Sequence, residues 1–213
     1  MSIQNKISLP VIRRLPRYYR YIADLVKNGV ERISSSELAH MMGSTASQVR
    51  QDFNCFGGFG QQGIGYNTTL LRDELEKLIF QDNVLSAVLI GVGSLGHTVA
   101  KYLSDKTKGV TLIGAFDIKE SLIGTSVENV DILPLDSLTN FCKDKKPQIA
   151  VICIPQEAAQ NIADDIGKLG FDGVWNFSHY DFSLHNKDLI VENVHLQDSM
   201  MSLEFRINNK QTR

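Results

Sequence analysis

The sequence predicts an α/β protein in two units: a small winged helix-turn-helix, then a doubly wound parallel sheet. Three observations carry the prediction. Two helix-opening patterns, Ser34-Ser-Ser-Glu37 and Thr45-Ala-Ser-Gln48, stand either side of Gly43 at the spacing of two short helices joined by a tight turn. A stretch with five glycines between Gly57 and Gly65 follows directly. Beyond it, apolar runs of strand length alternate with helical patterns, the first being Ser86-Ala-Val-Leu-Ile90, which leads into Gly91-Val-Gly93-Ser-Leu-Gly96.

The bulk composition allows such a chain and excludes others. Of 213 residues, 43% are hydrophobic and 22% charged, which is ample for a buried core and unlike a disordered chain. No stretch reaches the roughly 18 consecutive apolar residues of a membrane helix. Met1–Pro10 lacks the apolar core of a secretory signal, so a cytoplasmic protein is expected. Cys55, Cys142 and Cys153 are odd in number and far apart, which indicates reduced thiols and no metal site. The net charge of −2 hides an asymmetry. Residues 1–67 hold eight Lys/Arg against four Asp/Glu, and the remainder holds 14 against 20. A basic unit joined to an acidic one fits an anionic partner for the first, although a surplus of four charges also describes an ordinary solvated face.

In the first unit, Tyr18, Ile22, Leu25 and Val26 fall at helical spacing and Asn28-Gly29 ends the run. Pro16 fits a first helical turn, or else lies within a kinked helix that starts nearer Leu9. The helix opened by Ser34 turns Leu38, Met41 and Met42 inward and ends at Gly43. The helix opened by Thr45 turns Ala46, Val49 and Phe53 inward. Its other face presents Ser44, Thr45, Ser47, Gln48, Arg50, Gln51 and Asn54, side chains that hydrogen-bond base edges and phosphates. A plain three-helix bundle with a polar surface gives the same outline. The glycine stretch separates the two readings, because a winged motif places a β-hairpin there. Phe59, Gln61, Gln62 and Tyr66 would then lie along a narrow wing suited to a minor groove.

The pattern G-x-G-x-x-G occurs twice, at Gly58–Gly63 and Gly91–Gly96. A dinucleotide site needs a strand before the glycines and a helix opening within them, so that pyrophosphate meets helix N–H groups. Gly58–Gly63 follows a helix and runs into more glycine, so it is a decoy. Gly91–Gly96 follows a strand and opens a helix with Val99, Ala100 and Leu103 inward. Val110–Phe116 is a second strand, ending at Asp117, 21 residues past Gly96. An acid there accepts hydrogen bonds from ribose hydroxyls and repels a 2′-phosphate, which favours NAD(H).

Further strands are expected at Ile149–Pro155, Gly173–Phe177 and Leu189–Val194, with a helix from near Gln156 turning Ala159, Ile162 and Ile166 inward. Thr68–Ile79 is a capped connecting helix. A last helix near Gln197–Ile207 carries Met200, Met201, Leu203 and Phe205, which would pack on their own domain or join two chains. The expected divisions are residues 1–80, 81–195 and 196–213.

A Rossmann unit usually belongs to a dehydrogenase, which also needs a substrate pocket and a proton donor or acceptor. About 130 residues leave little chain for a substrate domain. His179 is the best acid/base candidate, yet no carboxylate or lysine is paired with it in the sequence. A small NAD-dependent oxidoreductase is therefore the alternative to a nucleotide-gated DNA-binding protein.

The order of Arg13-Arg-Leu-Pro-Arg-Tyr-Tyr-Arg20, Thr45-Ala-Ser-Gln-Val-Arg-Gln-Asp52, Phe56-Gly through Gly63-x-Gly-Tyr66, Gly91-x-Gly-x-Leu-Gly96 and Trp175-Asn-Phe177 resembles the Rex family of redox-sensing transcriptional repressors. The resemblance covers nearly the whole chain. It implies a non-enzymatic homodimer that binds palindromic operator DNA when NADH is scarce relative to NAD⁺ and releases it when NADH accumulates, with the terminal helix swapped between subunits. By the same resemblance Arg50 contacts bases, Arg14 belongs to the DNA-side set, and Phe59 to Tyr66 form the wing. The cofactor is held by Gly91, Val92, Gly93, Ser94, Leu95, Gly96 and Asp117. Tyr102, Ile154, Pro155, Asn176 and Phe177 lie near the nicotinamide, and Leu196 of the other subunit covers it. The chain departs from some relatives at Gln51 and Gln62, where they carry basic residues. It also has His195 where some carry an aspartate that pairs with the first-helix arginine, here Arg20.

Overall fold

A computed structural model describes residues 7–57, 64–80, 83–106, 109–184 and 188–210. The chain divides into two units, Met1–Asp82 and Asn83–Arg213. Among the described residues no helix is long and apolar enough to cross a membrane.

The first unit is built on α1 (Leu9–Lys27), α2 (Ser35–Met42), α3 (Ala46–Asn54) and α4 (Thr68–Ile79). Of the two starts open to α1, the structure takes the earlier one. The helix begins with Pro10 in its first turn and runs through Pro16, which forgoes the backbone bond to the Ile12 carbonyl. Val11, Leu15, Tyr18 and Ile22 offset that loss by burying one continuous stripe. Gly43 ends α2 in the left-handed conformation (φ 61°), the backbone state that favours glycine. Leu38, Ala39 and Met42 are buried, whereas Met41, expected inside, is exposed. Antiparallel β1 (Arg32–Ile33) and β2 (Tyr66–Asn67) close the unit, pairing Arg32 with Asn67 and Ile33 with Tyr66. Gly65, at φ 77°, passes so near β1 that a Cβ would lie 2.6 Å from the Ile33 carbonyl oxygen. Helix α4 is capped by the Asn67 side chain, which accepts from the Leu70 N–H, and buries Leu71 and Leu75 in the same core.

The second unit contains β3 (Leu85–Ile90), α5 (Ser94–Lys106), β4 (Val110–Asp117), β5 (Ser126–Val127), β6 (Val130–Pro134), α6 (Leu138–Lys145), β7 (Ile149–Ile152), α7 (Gln156–Lys168), β8 (Gly173–Asn176), β9 (Ile190–Asn193) and α8 (Leu196–Asn208). The sheet order is β5-β6-β4-β3-β7-β8-β9, parallel throughout except for edge strand β5. Leaving β5 aside, this is the Rossmann order, and the chain reverses direction across the sheet between β3 and β7. Strand alternation splits the core. Ala87 and Leu89 pack with Val99, Ala100 and Leu103 of α5 on one face. Val88 and Ile90 pack with Leu138 and Cys142 of α6 and Ala159, Ala163 and Ile166 of α7 on the other. On α7, Ala159, Ala163 and Ile166 are fully buried and Ile162 packs half-buried against the same core. The C-terminal helix α8 buries none of its residues; Leu196, Met200, Met201, Leu203, Phe205 and Ile207 are all exposed.

Candidate functional site

The second unit forms a cradle at the carboxyl end of β3. The Gly91 N–H donates to the Phe116 carbonyl (2.8 Å) and the Cys153 N–H to the Ile90 carbonyl (2.8 Å), so the loop is tied to both neighbouring strands. Gly91 has φ 92°, and a Cβ there would stand 2.7 Å from the Cys153 carbonyl oxygen. A Cβ on Gly96 would collide with the Gly91 carbonyl, which is how closely α5 packs on the loop. At Gly93 the added atom would meet open space. Two of the three glycines therefore serve protein packing, and the middle one faces outward, where a pyrophosphate would approach the first-turn N–H groups of α5. Gly93, Ser94 and Leu95 are exposed there, and Val92 is buried.

Asp117 closes this mouth. Its Oδ2 accepts from the Val92 N–H (2.7 Å) and its Oδ1 from the Lys119 N–H (2.9 Å). Each carboxylate oxygen keeps acceptor capacity for a ribose hydroxyl. The donor set and the space at Gly93 fit a dinucleotide.

The residues expected near a nicotinamide separate into two groups. Tyr102, 48% exposed on α5, lies 6.2 Å from the Trp175 ring, which lies 4.7 Å from Phe177. Asn176 points to the opposite face and is fully buried. Its Nδ2 donates to the Tyr180 carbonyl and to Asn193 Oδ1, both at 2.7 Å, and its Oδ1 accepts from the Ser178 N–H and hydroxyl. The Asn176 side chain thus locks the turn after β8, with both ends of its carboxamide engaged within the protein. The backbone alternation of β8 decides this, since it sends Trp175 and Phe177 to one side and Asn176 to the other. Ile154 is half-buried beside Gly91, and Pro155 caps α7 from an exposed position. Leu196, first in α8, is 70% exposed.

The rings of His179 and His195 stack 5.2 Å apart, and His195 Nδ1 lies 3.3 Å from Asp198 Oδ2. Burial pushes the Cys142 thiol up to about 11 and the Cys153 thiol up to about 12, so neither is a ready nucleophile. Among the described residues no cluster of three or more His, Cys, Asp or Glu is arranged to hold a metal.

In the first unit, α2 carries a complete capping box. Ser34 Oγ accepts from the Glu37 N–H (3.1 Å), and Glu37 Oε2 accepts from the Ser34 N–H (2.8 Å). The box expected at α3 is only half made. Thr45 Oγ1 accepts from the Gln48 N–H (3.2 Å), but the Gln48 side chain turns to Asp52 instead. Thr45, Ser47, Arg50, Gln51 and Asn54 are exposed along α3, with Ser44 and Gln48 half-buried at its edge. Arg50 Nη1 donates to Ser35 Oγ of α2 (3.0 Å), which holds the guanidinium at the outer surface of the helix pair.

Two expected DNA-side residues are engaged within the first unit. Tyr66, expected at the end of the wing, is 6% exposed, with its ring edge-on to Phe53 at 5.0 Å, so it packs in the core of the first unit. Arg14 donates Nε and Nη2 to Asp52 at 2.6 and 2.9 Å, which joins α1 to α3 rather than presenting a free cation. Phe59, Gln61 and Gln62 lie outside the described residues. Asp52 itself, 1% exposed, is the residue that sequence reasoning missed. Burial alone would raise its carboxyl, but hydrogen bonds from Arg14, Tyr18 and Gln48 together with the Arg14 charge hold it below the usual carboxylate value. The one available signal was a carboxylate four residues after Gln48, on the inward side of an otherwise regular helix.

Comparison with known proteins covers both units. A family model described as "Putative DNA-binding protein N-terminus" matches residues 6–54, and a "CoA binding domain" model matches residues 82–180. A "Redox-sensing transcriptional repressor Rex" of Caldicellulosiruptor bescii is 47% identical over 210 residues, covering 99% of this chain and 96% of the relative. Its namesake from Caldicellulosiruptor saccharolyticus is 45% identical, covering 99% and 95%. Solved structures also match over nearly the whole chain, two of them with ligands named. One, "RSP in complex with beta-NAD+ and operator DNA", has a TM-score of 0.86 at 43% identity and covers 97% of this chain and 94% of the other. The other, "RSP in complex with beta-NADH", has a TM-score of 0.87 at 41% identity, covering 97% and 96%.

Proposed function

For this chain, which belongs to the Rex family of redox-sensing transcriptional repressors, we propose that it binds palindromic operator DNA through α3 and its wing and gives up that DNA when NADH fills the cradle at Gly91–Gly96. The observation that carries the reading is the full-length likeness to a relative solved once with NAD⁺ and operator DNA and once with NADH. The local geometry supports both halves. A polar helix with Arg50 at its surface follows a left-handed turn in one unit. In the other, glycines and Asp117 are arranged for a dinucleotide without a 2′-phosphate.

The cofactor supplies a redox-dependent charge and ring shape at the nicotinamide end, and the chain's residues do the rest. The first turn of α5 would hold the pyrophosphate by its N–H groups, Asp117 would hold the adenosine ribose, and the Tyr102–Trp175–Phe177 cluster offers an apolar surface for the nicotinamide. Operator DNA and NADH favour different states of one protein, so each weakens the other by an equal factor. The protein acts as a homodimer: two copies match a palindrome, and the exposed apolar residues of α8 supply a surface for the second copy. It is not an enzyme, and it works in the cytoplasm, where its DNA is.

The test is fluorescence anisotropy of a labelled palindromic duplex with the protein, titrated with NADH and, separately, with NAD⁺. Release by NADH and retention with NAD⁺ is expected. Failure to bind any duplex, with steady NADH oxidation on a carbonyl substrate that His179→Ala abolishes, would establish an oxidoreductase instead.

A further inference from the structure

We propose that Asp52 is a positioning residue for base recognition: it fixes the Gln48 carboxamide so that its oxygen and one N–H face outward from α3 as a pair matched to adenine. This rests on the reading of α3 as the recognition helix.

The geometry begins with a count of donors. Asp52 Oδ2 accepts from Arg14 Nε (2.6 Å) and the Tyr18 hydroxyl (2.8 Å). Oδ1 accepts from Arg14 Nη2 (2.9 Å) and Gln48 Nε2 (2.8 Å). An ionised carboxylate offers about four lone-pair sites and no donor, so these four donors saturate it. A carboxamide beside such a group must present its NH₂, because its oxygen would meet like lone pairs. The orientation of Gln48 is therefore dictated by Asp52, whereas a glutamine free in solvent turns either way. One N–H is used by Asp52, and the second N–H and Oε1 remain. That donor–acceptor pair complements N7 and N6 of adenine in the major groove.

The anchor behind Gln48 is stiff. Arg14 and Tyr18 come from adjacent turns of α1, and the Tyr18 ring packs on Phe53 at 4.8 Å. Arg17 Nη2 donates to the Met42 carbonyl at the end of α2 (2.6 Å), so α1 grips both helices of the turn. Gln48 sits in the first turn of α3, two residues before Arg50, in the part of a recognition helix that meets base edges. Pre-setting a long side chain removes rotamer freedom before binding, which sharpens discrimination between bases.

The experiment uses the full-length protein and the duplex that the wild type selects from a random-sequence pool, together with duplexes changed at one base pair per half-site. Wild type is expected to show one adenine per half-site whose replacement weakens binding about 5- to 150-fold. Gln48→Ala should be blind to that change alone. Asp52→Asn, which lets the amide face either way, should lose most of the same discrimination, and Asp52→Asn added to Gln48→Ala should change it no further. A uniform loss of affinity for every duplex, with discrimination intact in Asp52→Asn, would mark Asp52 as merely structural and overturn the proposal. Should Asp52→Asn not fold, the side-chain amide of Gln48 in ¹⁵N-labelled wild type, assigned by its loss in Gln48→Ala, decides the matter. Slower solvent exchange than the other glutamines is expected, and exchange as fast as theirs overturns the proposal. Loss of operator binding in Arg50→Ala with full discrimination in Gln48→Ala defeats this inference and leaves the helix assignment standing. Wild-type binding by both variants defeats the helix assignment itself.

Discussion

Gly93→Ala separates ligand contact from folding at the cradle. A Cβ on Gly93 would meet no protein atom within 4 Å, and the residue's φ lies outside the left-handed region, so the methyl group neither clashes nor strains the backbone. Glycine-to-alanine at a helix start changes stability by no more than about 1 kcal/mol. The methyl does, however, fill the space through which a phosphate must come to reach the first-turn N–H groups. Displacing one hydrogen bond to a charged group costs about 1.5–3 kcal/mol. That is about a 10- to 150-fold rise in Kd for NADH. Gly96→Ala supplies the contrast, because its Cβ runs into the Gly91 carbonyl. It should lower stability by about 1–3 kcal/mol, so melting temperature and NADH affinity fall together. NADH binding can be followed by quenching of Trp175, the chain's single tryptophan, and checked by calorimetry beside thermal melts. Wild-type NADH affinity in Gly93→Ala would refute the reasoning, since the loop would then not face the pyrophosphate.

Three further outcomes are expected. Arg50→Ala removes specific operator binding and leaves the NADH Kd unchanged; retained specific binding means another helix reads the DNA. Asp117→Ala weakens NADH by about tenfold or more through loss of a charge-assisted ribose contact, and calorimetry giving wild-type affinity rules that contact out. Asp52 is held below its ordinary value when folded, so its contribution to stability is full above the ordinary carboxylate range and is lost as pH falls through the lowered one. The melting-temperature gap between wild type and Asp52→Asn should therefore be widest near neutral pH and shrink steadily as pH falls below the ordinary carboxylate range, and a gap independent of pH would contradict the ionised pair.

The sheet was readable because buried parallel strands are nearly continuous apolar runs, as in Leu85–Ile90 and Ile149–Ile152. The capping of α2 and the stop at Gly43 were equally plain, since short-range hydrogen bonds need only local spacing. The edge hairpin β5–β6 gave no such signal. Its turn residues Glu128 and Asn129 both sit at positive φ, without the glycine that usually marks such a turn. Long-range partners were hidden as well. Nothing local tells that Asp52 meets Arg14 and Tyr18, 38 and 34 residues away, or that this partnership takes the Gln48 side chain from the capping box. The burial of Tyr66 and Asn176 was hidden for one reason: each lies in or ends a short strand, where a shift of one position exchanges the inner face for the outer.

The most direct test of the central claim is the NADH Kd measured with and without saturating operator duplex, alongside the operator Kd measured with and without saturating NADH. The account predicts that both rise, by the same factor. An NADH affinity indifferent to bound operator would contradict it, because two sites with no shared free energy cannot make a sensor.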